Sequence, residues 1–115
     1  MAKIIVRTAG VAAGARARNI LANTAFQFAD NPGPEGLVLV RVSVTSDAAD
    51  NDFEVFADKD FVATENAALF AGPPRQNTDP FQEFLVSPGT QMIVDLINNG
   101  GAAVDFHTLV EYTPV

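Results

Sequence analysis

Thr90–Tyr112, TQMIVDLINNGGAAVDFHTLVEY, is the stretch on which the fold turns. Met92, Val94 and Leu96 fall on one side of an extended chain in its first half. In its second half Val104, Phe106, Thr108, Val110 and Tyr112 do the same, with Asp105, His107 and Glu111 on the other side. A period of two marks half-buried strands, because successive side chains of a strand point to opposite faces. Between the halves lies Asn98-Asn99-Gly100-Gly101, residue types that accept the positive φ of type I′ and II′ turns. The pattern predicts an antiparallel hairpin in an all-β domain.

The same period recurs upstream. In LVLVRVSVT, from Leu37 to Thr45, Val38, Val40, Val42 and Val44 line one face, and Leu37 and Leu39 precede Arg41, Ser43 and Thr45 on the other. A helical period would scatter those valines around the whole surface. Phe53, Val55 and Ala57 are in phase in a further strand, Phe61–Ala63 and Phe81–Val86 make two short ones, and Lys3–Arg7 one more. Asn19–Phe28 restarts a β pattern at Phe26 and Phe28, whereas Thr64–Phe70 has the capping chemistry for one helical turn that Gly72-Pro73-Pro74 would stop. Asn31–Gly36, Ser46–Asp52, residues 71–80 and Ser87–Thr90 are loops rich in Pro, Gly, Asp and Asn. About eight strands at spacings of ~8–15 residues, with almost no helix, predict an antiparallel two-sheet sandwich of jelly-roll or Greek-key type.

Charge divides the chain differently. Residues 1–18 carry Lys3, Arg7, Arg16 and Arg18 and no acid, a local charge of +4, while the remaining 97 residues sum to −11. With its glycines and alanines, 1–18 has the composition of an extended basic N-terminal arm, and 19–115 that of the sandwich domain. On this reading the arm cations form an interface with an acidic neighbour, and deleting residues 2–18 would leave the sandwich folded while abolishing assembly.

Several chemistries are excluded or disfavoured. The chain has no cysteine, hence no disulfide, zinc–thiolate site or thiol nucleophile. A single histidine cannot build the imidazole cluster of a metal-binding jelly roll. Asp105 and His107 share a strand face, but no Ser or Thr is placed beside them by spacing, so no catalytic residue and no cofactor is assigned. The acids Asp47, Asp50, Asp52 and Glu54 do not follow the order of a calcium loop. With no Trp, one Tyr and most of nine Phe in core phase, a stacking platform for sugars is poorly supplied. The acidic body repels phosphates, so no direct nucleic-acid contact is expected. No run reaches the ~18 apolar residues of a membrane span, and MAKIIVRTAG lacks the apolar core of a secretory signal.

A positive signal lies on the second faces of the strands. Leu37, Leu39, Ile93, Ile97 and Leu109 stand opposite the Val-rich faces. Strands that are apolar on both sides are covered on both sides, here by the chain's own arm, a sister subunit or a larger assembly, which makes these residues candidates for an interface.

The basic lead, Phe26-Gln27-Phe28, and the run P-G-x-x-M-I-V-D-L-I-N-N-G-G-A-A-V-D-F from Pro88 to Phe106 together resemble a family of small phage virion proteins. These are single-jelly-roll or related sandwiches that decorate or cement icosahedral capsids. The resemblance implies a virion location, a homo-oligomer (often a trimer), a shell of major capsid protein as partner, and no enzymatic activity. Two other readings stay open: a module binding a glycan or Ca²⁺ through loops 46–52 or 71–80, and a small self-assembling coat protein.

Overall fold

The computed structural model describes residues 2–75 and 78–115. Among the described residues ten strands are formed: β1 Ala2–Val11, β2 Arg16–Ala17, β3 Phe28–Ala29, β4 Val38–Ser46, β5 Asp52–Ala57, β6 Asp60–Asn66, β7 Ala68–Leu69, β8 Gln82–Val86, β9 Thr90–Ile97 and β10 Val104–Pro114. One sheet runs β1-β10-β4, with β8 and β7 sharing the far edge of β4. The other runs β6-β5-β9, with β2 and β3 sharing the far edge of β9. Two sheets interleaved in this way by strands that alternate between them form the double Greek key of a jelly roll.

The core is the meeting of the two inner faces. Val38, Val40, Val42 and Val44 of β4 and Phe106 and Val110 of β10 oppose Phe53 and Val55 of β5 and Met92, Val94 and Leu96 of β9, all at most 1% exposed. Each such side chain contributes ~1.5–3 kcal/mol on burial. Leu21, also fully buried, enters from the loop between β2 and β3, where Asn19 and Asn23 take positive φ. That loop stays tied to β9, since Ile20 N–H donates to Val94 O and Met92 N–H to Gln27 O. The strand expected over Asn19–Phe28 is therefore replaced by turns, and only Phe28–Ala29 pairs regularly.

The hairpin expected at Asn98–Gly101 does not form. β9 is a central strand between β5 and the β2/β3 edge, and β10 is a central strand between β1 and β4. Residues 98–103 instead carry the chain from one sheet to the other. None of Asn98, Asn99, Gly100 and Gly101 has the positive φ of a primed turn. Asn98, fully buried, holds the crossing: its Nδ2 donates to Val11 O, Ala12 O and Ala102 O at 3.0, 3.1 and 2.8 Å, and its Oδ1 accepts from Gly100 N–H at 2.9 Å. Asn99 ties the same corner to the loop before β5, its N–H reaching Asn51 Oδ1 at 2.9 Å.

Two further expectations change. Thr64–Phe70 makes no helical turn, because β6 pairs with β5 as far as Asn66 and β7 bridges to β4. The lead segment does not stand apart from the sandwich. Ala2–Thr8 pairs residue for residue with Phe106–Tyr112, Ile4 and Val6 pack against the core, and Val11 is buried in it. Its glycines serve the path of the strand: Gly10 has φ +64° at the irregularity between Thr8 and Val11, a conformation that costs other residues strain. Met1, Gln76 and Asn77, which belong to the arm and to the 71–80 loop read from the sequence, lie outside the described residues.

Candidate functional site

The outer faces of the two sheets carry the charged and apolar groups that the core does not use. On the β1-β10-β4-β8 sheet the register sets up rows across all four strands. Lys3 stands opposite Glu111, Glu111 opposite Arg41, and Arg41 opposite Glu83. The next row holds Ile5, Leu109 and Ser43, and Phe81, immediately before β8, lies beside it with the Arg41 guanidinium 3.6 Å above its ring. The row beyond holds Arg7, His107 and Thr45. On the other flank Leu39 stands between Thr113 and Leu85.

The two acid–base residues suggested by spacing are both on this face, yet Asp105 is occupied structurally. Its Oδ1 accepts from Gly10 N–H at 2.8 Å and its Oδ2 from Arg7 at 2.9 Å. These bonds, the backbone one first, hold its carboxyl below the usual carboxylate range. Asp105 thus pins the irregular end of β1 to β10.

On the other sheet Glu54 of β5 stands directly opposite Asp95 of β9. Two carboxylates so placed repel, and Arg16 resolves the conflict by pairing with both, with Asp95 at 3.1 Å and with Glu54. Arg18 approaches Asp95 at 3.9 Å, and Asn19 N–H donates to Asp95 Oδ1 at 2.8 Å. The pairing, chiefly with Asp95, raises the pKa of Arg16 further above its usual value. Three of the four lead-segment cations are therefore paired within the chain, and the fourth, Lys3, sits in register with Glu111.

The apolar candidates separate onto two surfaces. Leu39 and Leu109 are on the outer face of the β1-β10-β4-β8 sheet, Ile93 and Ile97 on that of the β6-β5-β9 sheet, and Leu37 precedes β4, where it exchanges backbone bonds with Val115. Leu109 is only 7% exposed, though it lies outside the main core cluster. Leu37, Leu39, Ile93 and Ile97 are half-buried, and the most exposed large apolar side chains among the described residues are others: Ile5, Phe28, Phe61, Val62, Leu69, Phe81 and Leu85, at 36–62% exposure. Each lies on β1, β3, β6, β7 or β8, or at the start of one, and these are the strands with a free edge. Periodicity could not single them out, because an edge strand and a central strand alternate alike.

The loops offer less. Asp47 accepts from Asp105 N–H, Asp52 from Asn99 Nδ2, and Glu54 pairs with Arg16, so the acids of 47–54 face different partners. Among the described residues no three His, Cys, Asp or Glu side chains gather as metal ligands. In the described part of 71–80, Arg75 grips Asp79 at 2.8 Å and stacks on Phe70, which pulls the Asp79 carboxyl below its ordinary range. A cleft of about 450 Å³ opens between the start of β1, the end of β10 and the loop around Phe26 and Phe28. Tyr112 lines it, with its hydroxyl donating to Phe26 O and its ring 4.8 Å from that of Phe26. Comparison with protein-family models and with curated proteins finds no match to this chain.

Proposed function

We propose that this chain is a non-enzymatic structural subunit that self-associates and takes its place on a virion, decorating or cementing an icosahedral capsid. The observation that carries the reading is the position of its most exposed apolar side chains, which among the described residues lie on edge strands. Soluble monomers protect such edges with charges, prolines or covering loops, because an open apolar edge recruits another chain. Here Ile5, Phe61 and Leu85 are at least half exposed on three different edges. The jelly-roll strand order, an architecture used in capsid proteins, and the likeness of the Pro88–Phe106 run to small phage virion proteins support the virion setting. That likeness also favours a trimer and a major-capsid-protein shell as partner.

Light scattering on the purified full chain is expected to give a multiple of 12.2 kDa, and the chain is expected in density-banded capsid particles. A strict monomer would refute the self-association, and particles lacking the chain would refute the virion role. A glycan-binding module is the second reading, carried by the exposed Phe28 ring on the 450 Å³ cleft, whose wall holds the buried Phe26 and Tyr112. Saturable heat on titrating a glycan panel into a monomeric protein would favour it instead.

A further inference from the structure

The β1-β10-β4-β8 sheet ends in two edges of opposite character. Across its outer face the first row reads Lys3, Glu111, Arg41, Glu83, which begins with a cation on the β1 edge and ends with an anion on the β8 edge. Both terminal residues are exposed. One row along, Ile5 on the β1 edge is 50% exposed and Phe81 at the β8 edge 41%. No other strand among the described residues pairs with the outer side of β1 or of β8.

We infer that a second copy of this chain docks its β1 edge against the β8 edge of the first, so that the sheet continues from subunit to subunit. The inference deepens the self-association proposed above and rests on that reading. Every neighbouring pair in β1-β10-β4-β8 is antiparallel, so a β1 that extends the sheet past β8 runs antiparallel to β8. In that orientation, the register placing Lys3 of the second copy opposite Glu83 of the first also places Ile5 opposite Phe81. One register satisfies both the charge and the apolar match, and opposite charges and apolar pairs across strands each stabilise a sheet.

Symmetric alternatives fare worse on the same chemistry. Pairing β1 with β1 about Ile5 sets Lys3 against Arg7, with no acid on the strand to separate them. Pairing β8 with β8 about Glu83 sets that carboxylate against its own copy, and directly opposed like charges destabilise a sheet. The favoured contact is head-to-tail, because β1 and β8 lie at opposite ends of the sheet. A head-to-tail contact closes into a ring or continues as a filament according to the rotation between subunits.

The chain has no native cysteine, so introduced thiols report the contact without interference. Ile5→Cys and Phe81→Cys chains, mixed and oxidised, are expected to give a covalent dimer holding one chain of each kind. Disulfide dimers of Ile5→Cys with itself, or no crosslink in a mixture that remains oligomeric, would overturn the contact. Independently, Lys3→Glu and Glu83→Lys are each expected to weaken association about tenfold or more, since each sets like charges directly opposite across the two strands, and the double variant to recover most of it. Circular dichroism checks that each variant is folded. Oligomers indifferent to both charge reversals would overturn this contact and leave the structural reading standing, whereas a monomeric wild type would overturn both.

Discussion

Asn98→Ala separates two structures that the same sequence could encode. As the tip of an exposed hairpin, Asn98 would tolerate the change within ~0.5 kcal/mol, as surface positions generally do. In the inter-sheet crossing it is fully buried, and its amide serves three carbonyls and one backbone N–H. An amide has two N–H groups, so the three donor contacts amount to about two full bonds, and the accepted bond makes a third. At about 1 kcal/mol net for each, the loss is ~3 kcal/mol, more where Val11 O is left buried without a donor. For a chain of this length that corresponds to a fall in Tm of roughly 12 °C. Asn98→Asp should cost more than Asn98→Ala, because it keeps the acceptor, removes both donors and brings a negative charge against three carbonyl oxygens. Urea melts followed by far-ultraviolet circular dichroism measure all three proteins. An Asn98→Ala chain within 0.5 kcal/mol of wild type, or an Asp variant as stable as the Ala variant, would refute the assignment of Asn98 as the clamp of the crossing.

Thr108 faces inward on β10, and its buried hydroxyl finds no hydrogen-bond partner among the described residues; Thr108→Val should therefore raise stability by about 1 kcal/mol in the same melts. Tyr112 is the only tyrosine in a chain without tryptophan, so its ionisation can be followed alone near 295 nm. Burial first, and then the charge of Asp30, push its pKa far above the usual value of ~10. Because the folded pKa is the raised one, its contribution is complete below pH ~10 and falls by about 1.4 kcal/mol per pH unit above it; the absorbance change should coincide with loss of circular dichroism, and phenolate formation in a chain that stays folded at pH 11 would contradict this. Deleting residues 2–11 removes Val11 from the core and the partly buried Ile4 and Val6 from against it, and strips one edge of β10, a loss of ~4 kcal/mol on apolar burial before the β1–β10 hydrogen bonds are counted. That approaches the whole stability of a typical domain, so the truncated chain should show no cooperative melt, where the arm reading expects an intact sandwich.

The elements that could be read from the sequence are those whose evidence is local. The alternating valines of β4 and the inward residues of β5, β9 and β10 are buried as their period requires. What the period does not carry is which sheet a strand joins. Met92, Val94 and Leu96 face the same core as Val104, Phe106 and Val110 whether the two strands lie side by side or across from each other. Turn chemistry then suggested adjacency, and the long-range bonds of Asn98 to Val11 and Ala12 decided otherwise. The most exposed apolar residues escape the period for the same reason. Phe28, Phe61 and Phe81 are spaced like core residues and are exposed, because each sits at an edge that only the completed topology reveals. Leu109 shows the converse: it is on the outer face as its phase demands, yet is nearly covered.

The charge asymmetry of the sequence has its explanation in that topology. A lead of +4 on a body of −11 suggests two separate electrostatic units, but the jelly roll folds the lead back across both sheets. Arg16 and Arg18 arrive beside the opposed pair Glu54 and Asp95, Arg7 beside Asp105, and Lys3 in register with Glu111. Without those cations the Glu54–Asp95 juxtaposition would be repulsive in the middle of a sheet, so the lead is a condition for the acidic body to fold in this register. Its charges are consequently a poor guide to an external partner, since three of the four already have internal ones. Facing outward at the two edges of the first sheet are the ends of the Lys3–Glu83 charge row and the apolar residues that flank them. On the proposed head-to-tail contact, recognition by this chain is set at its sheet edges, where alternation of sign makes the β1 end of one copy complementary to the β8 end of the next.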